Sequence, residues 1–227
     1  MFDLQQSTRR RGFLGTVAAG VATLGIATLT APFRGTAKPN LPPDTMNSDA
    51  EAWLNKIQGK HRQVFDATSA NGGMPLAWTR VYMTTNNATG TQDSDLGAVV
   101  ILRHAAIPLA MEDRLWTKYK FGEVFKVDDG ATKAAALRNP FWNPKAGELP
   151  FPDMSVDQLQ KRGALFCVCD MAMTFYSMNV GKSMNMDPAE VKKDWISGIF
   201  PGIQIVPSGV WAVNRTQEHG CTYCYGG

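Results

Sequence analysis

The sequence predicts an α/β protein, three layers deep, with a mostly parallel five-stranded sheet between helices. Apolar runs of strand length, bounded by Gly and Pro, alternate with stretches of helical length and spacing. One run, Leu96 to Leu102, is apolar on both faces, as a strand buried inside a parallel sheet must be. Two others, Ala164–Val168 and Ile203–Val206, sit in the last third of the chain beside all four cysteines.

In chain order, Ser48 or Asp49 can cap a short helix over 50–57, with Trp53, Leu54 and Ile57 on one face. His61–Asp66 is a strand. Pro75 suits the first position of a helix that runs to about Thr85. Leu96–Leu102 follows and delivers Arg103 and His104 to its end. A helix is expected from Pro108 to about Tyr119. Residues 121–154 show no periodicity and form an irregular lobe, which covers something or packs through Phe141 and Trp142. Ser155 and Gln158 have capping-box spacing, so a helix starts there and stops at Gly163. After the strand at 164–168, Asp170–Met178 reads as helix. Asp187-Pro-Ala-Glu190 opens another, which ends near Gly198. A strand at 203–206, a helix from Gly209 to His219 and a short strand at 221–223 complete the domain, which spans 49–227.

The first 37 residues read as a targeting segment. Arg10-Arg11 followed by Phe13-Leu14 has the form of a twin-arginine signal, and the run from Thr16 to Ala31 is too mild for a membrane span. Pro39, Pro42 and Pro43 make 38–48 an extended linker. Export places the protein in the periplasm, with no membrane contact beyond the signal. With 227 residues, 44% hydrophobic, 19% charged and a net charge of +3, the chain has enough apolar content for a single core. It lacks the basic patch with interleaved aromatics of a nucleic-acid binder.

Leu159 with Gly163, the strand Leu165-Phe-Cys-Val-Cys169, the run Pro201-Gly-Ile-Gln-Ile-Val-Pro-Ser-Gly209 and the ending Val213…Gln217-Glu-His-Gly220 together resemble the DsrE-like family. The resemblance covers roughly residues 61–224. It implies a five-stranded parallel sheet, assembly into trimers or hexamers, and sulfur relay through a cysteine after the third strand, where Cys169 falls. The chain departs from the family in its export signal, its lobe at 121–154 and its terminal Cys-X-X-Cys.

Four residues are candidates for chemistry. Cys169 ends a buried strand at the carboxyl edge of the sheet, where open α/β folds keep their sites, and a following helix would point its N-terminus at the thiol. It can equally be a small buried hydrophobe. Cys167, two residues back, faces the same side of a regular strand and reads as core. Cys221 and Cys224 form a Cys-X-X-Cys, either a redox dithiol with His219 nearby or a structural disulfide made after export. His104 lies on the same edge as Cys169, so these residues are a possible cluster for thiol chemistry or a soft metal. Arg103 could hold an anion there. Asp170 would oppose a thiolate unless it caps the next helix. Met171, Met173, Met178, Met184 and Met186 suit packing better than copper. The reading calls for no cofactor, leaves any metal undetermined, and expects a sulfur-donor or redox partner protein. Its rivals are a non-enzymatic binding or assembly module and a metal protein loaded before export.

Overall fold

The computed structural model describes residues 43–227, so the expected signal segment and residues 38–42 of the linker lie outside the described residues. Five strands form one all-parallel sheet in the order β4-β3-β2-β1-β5. They are β1 (His61–Ser69), β2 (Leu96–Ala105), β3 (Leu165–Cys169), β4 (Ile203–Val206) and β5 (Thr222–Tyr225). Helices cover both faces, which gives the expected three-layer α/β/α architecture.

β2 is central and shows why. Ala98, Val100 and Leu102 point into one apolar cluster, and Val99 and Ile101 into the other. A strand covered on both sides has no polar face to keep, so its sequence is apolar throughout. The smaller cluster lies under α1 (Pro43–Leu54) and α8 (Gly209–Glu218). The larger lies under α2 (Met74–Ala88), α3 (Asp113–Tyr119), α4 (Phe121–Val124), α5 (Val156–Lys161), α6 (Asp170–Met184) and α7 (Pro188–Ser197). No helix among the described residues is long and apolar enough to cross a membrane.

Several local expectations are corrected. Helix α1 begins at Pro43, inside the stretch read as linker. Proline is tolerated in the first turn, where its missing N–H has no intrahelical partner anyway. The helix expected over 108–119 is broken. A 3-10 turn at Ile107–Ala110 precedes Met111, which bridges antiparallel to Ile199, and α3 starts only at Asp113. Ser155 precedes α5, but its hydroxyl bonds the Asp157 carboxylate at 2.6 Å instead of a backbone N–H. Helix α6 runs on to Met184, and β5 extends to Tyr225.

The lobe between α4 and α5 has little regular structure yet is well anchored. Asn139 is fully buried. Its amide donates to the carbonyls of Pro108, Leu109 and Met111, and its own oxygen accepts from the Phe141 N–H at 2.8 Å. Trp116 donates its indole N–H to two of those carbonyls. Arg138 pairs with Glu148 and with Asp113. Phe141 is buried, and Trp142 stacks on Phe200 at 3.8 Å. These aromatics are therefore satisfied within the chain and need no partner to cover them.

Candidate functional site

At the carboxyl edge of the sheet, β1, β2 and β3 deliver Asp66, Arg103, His104 and Cys169. β3 exits into α6, in the larger layer, whereas its neighbour β4 exits into α8, in the smaller one. The chain thus diverges between β3 and β4, and crevices of this kind are where open α/β sheets bind ligands.

Asp66, near the end of β1, is 2% exposed. Arg103, at the end of β2, grips it bidentately, with Nε 2.6 Å from Oδ1 and Nη2 2.9 Å from Oδ2. Tyr223 of β5 donates its hydroxyl to the same Oδ2 at 2.9 Å. A buried carboxylate with three donors is satisfied, whereas a bare one would be costly. The bond to Asp66 raises the Arg103 pKa further, while burial and then Asp66 raise that of Tyr223. Arg103 also explains Gly209. A Cβ there would overlap the Arg103 Cβ, so only glycine lets α8 start against this side chain. Ser208 caps α8 by accepting the Trp211 N–H at 3.2 Å. The anion expected at Arg103 is thus an internal one.

Cys169 lies in the β3–β4 crevice, paired in register with Val206. Strand alternation breaks at this residue. Cys167 packs in the smaller cluster and Cys169 in the larger, so the two do not share a face. The reason is that Cys169 has already become the N-cap of α6, and its sulfur accepts the Ala172 N–H at 3.2 Å. It is 6% exposed. Burial drives the Cys167 thiol well above its ordinary pKa, with the charge of Cys169 a further cause. Asp170 does not cap the helix. It forms a buried pair with Lys192, whose Nζ is 2.8 Å from the carboxylate. Only Oδ2 receives it with hydrogen-bond geometry, and Oδ1 has no partner.

His104 reaches the same edge but takes a different direction. Its backbone is left-handed, with φ of 51°. The exposed ring meets the Tyr176 hydroxyl of α6 at 3.2 Å from Nδ1.

The terminal cysteines do not join this group. Cys169 is on β3 and Cys224 on β5, with β2 and β1 between. Three inter-strand steps are roughly 14 Å, twice the Cα separation of about 7 Å that a disulfide tolerates. Cys221 and Cys224 are also separate from each other. Along an extended β5 their Cα atoms stand about 10 Å apart. Cys221 packs in the smaller cluster and Cys224 against the larger, on opposite faces of the sheet. All four thiols are free. Burial pushes the Cys221 thiol up to about 11, against the pull of Arg62, and burial raises Cys224 as well. His219 lies at the far edge of the sheet, where its carbonyl accepts from Arg62. Neither a dithiol nor a staple is formed by this pair. No group of three or more His, Cys, Asp or Glu poised to hold a metal occurs among the described residues.

A cleft of about 680 Å³ opens at the carboxyl ends of β1 and β2, beneath the lobe. Its floor carries Ser69 and Asn71, its apolar wall Phe125 and Phe141, and its rim Lys126 and Lys133. That volume falls within the range of small-molecule sites. Sequence reasoning missed this cleft, and it missed Asp66 and Tyr223. Asp66 carried a signal, being a lone carboxylate in the run Val64-Phe-Asp-Ala67. The cleft carried none, since its rim comes from the aperiodic lobe. Compared with protein-family models and with curated proteins, the chain matches none.

Proposed function

We propose that this chain is an exported, DsrE-like α/β protein that acts as a small-ligand binding module instead of relaying sulfur among its own cysteines. The cleft carries this reading: it is roomy, has both apolar and charged walls, and lies at the edge where this class of sheet holds its ligands. The cysteine geometry supports it from the other side, because the terminal thiols stand too far from Cys169 for exchange. Assembly of copies belongs to the proposal. Met171 and Phe175, one turn apart on α6, are 63% and 55% exposed and supply an apolar contact. Light scattering that gives a monomer at micromolar concentration would remove that part.

One observation favours a second reading. The Cys169 sulfur accepts a backbone N–H at the start of α6, in the crevice between diverging strands. There its thiolate would take one sulfane sulfur from a polysulfide, which leaves one sulfur shorter. The two readings separate on one pair of proteins, wild type and Cys169→Ser. Calorimetry should find saturable small-molecule binding that survives the substitution. If a small-molecule panel yields no saturable ligand, while polysulfide adds the mass of one sulfur to wild type alone, the module reading is overturned.

A further inference from the structure

Taking the cleft as the ligand site, we infer that it selects a zwitterion with an apolar body, such as an apolar amino acid, holding the carboxylate at Lys126 and Lys133 and the ammonium at Asp128 and Asp129. Both lysines are exposed and neither has an ion-pair partner among the described residues. The carboxylates differ among themselves. Glu148 is consumed by Arg138 and by the Lys145 N–H. Asp129 accepts the N–H groups of Ala131 and Thr132 through Oδ1, which leaves Oδ2 available. The Thr132 N–H holds its carboxyl below the usual range, so it stays ionised at neutral pH. Asp128 is exposed and makes no salt bridge among the described residues.

With Glu148 neutralised by Arg138, the cleft offers charges of both signs in equal number. A ligand of one sign would leave the other pair unanswered. One bearing both signs answers each, and Phe125 and Phe141 receive its apolar part. The backbone points to the same place. Asn71, Lys126 and Lys133 all line the cleft in left-handed conformation, with φ of 40°, 54° and 59°. Conformations that side chains rarely adopt tend to gather at binding sites, where they hold a group in a required direction.

The test uses four matched probes on the full chain by calorimetry: phenylalanine, phenylpropionate, phenethylamine and phenylpropionamide. Phenylalanine should bind tightest, with each singly charged probe about ten-fold weaker. Lys126→Met with Lys133→Met should weaken phenylalanine and phenylpropionate and spare phenethylamine. Asp128→Asn should weaken phenylalanine and phenethylamine and spare phenylpropionate. These side chains are exposed, so circular dichroism should show the fold unchanged. Equal binding of all four probes, or binding indifferent to these substitutions, would overturn the zwitterion class and leave the cleft as a site. Failure of every probe to bind at millimolar concentration would count against both.

Discussion

The sheet and the lobe are held together by different means. In the sheet, apolar side chains from β2 fill two cores, and the ladder satisfies the backbone. The lobe has almost no ladder. Turn bonds such as those of the Val127 and Asp129 N–H groups tie its backbone, and one buried amide, Asn139, anchors it to the segment 108–111 through three carbonyls. The sheet rests on its ladder and two apolar cores, whereas the lobe adds Phe125, Val127, Phe141 and Leu149 to the larger core and relies besides on a few buried polar bonds. The cleft lies between the two, with lining from the ends of β1 and β2 on one side and from the lobe on the other.

Ile101→Ala should sharpen the contrast most. The side chain is fully buried in the smaller core, and its loss should cost about 2–5 kcal/mol. Chemical denaturation should show one cooperative transition at a lower midpoint. Asn139→Leu should cost less, on the order of 1–3 kcal/mol, because it strands the Phe141 N–H and the Leu109 carbonyl, while Trp116 still serves the carbonyls of Pro108 and Met111. Its effect should be local. Hydrogen exchange should accelerate over 121–154 and leave β2 and β3 protected; uniform acceleration would show that the lobe is not a separate unit.

Asp194 of α7 ties α3, on the flank of the lobe, through Arg114, Lys118 and Tyr119. Burial alone would raise its pKa, but the bonds from Lys118, Arg114 and Tyr119 outweigh burial and hold it at about 2. A depressed carboxylate stabilises the fold above its ordinary pKa. That contribution, on the order of 1–2 kcal/mol, should be lost as pH falls from about 4 to about 2. Asp194→Asn should therefore lower the melting temperature at pH 7 and make no difference below pH 2. A constant difference across that window would reject the assignment. The smallest effect is on no stability at all. Alkylation at pH 8 should label half-buried Cys224 first, and Cys167 only on unfolding. Rapid labelling of Cys167 would contradict its place in the core.

The same contrast explains what could be read from the residues. Leu96–Leu102 announced a central strand because burial on both faces leaves a one-letter pattern. Asp187 announced its helix correctly, and its carboxylate accepts the Ala189 N–H at 2.8 Å. Asn139 announced nothing, since a residue that bonds backbone 28 to 31 positions away has no local signature. The cysteines failed for a topological reason. Cys169 was placed correctly at its edge, but nothing near residue 222 says that β5 passes beyond β2 to the far side of β1. That single choice of neighbour separates the sulfurs. Cys169 was also expected to share a face with Cys167, and its second role as a helix cap turned it away.

The pairing of β5 with β1 also bears on the order in which the molecule can be completed. Gln63 and Thr222 touch across 159 positions of chain, and Tyr223 reaches Asp66 across 157. Contacts of such sequence separation form late, because a long loop must close before they repay its entropy. While the ribosome is still working toward Tyr223, β1 has one bare edge and Asp66 lacks one of its donors. The strand that seals β1 lies about 160 positions downstream of it, so nascent β1 stays open along that edge until Thr222–Tyr225 has been made.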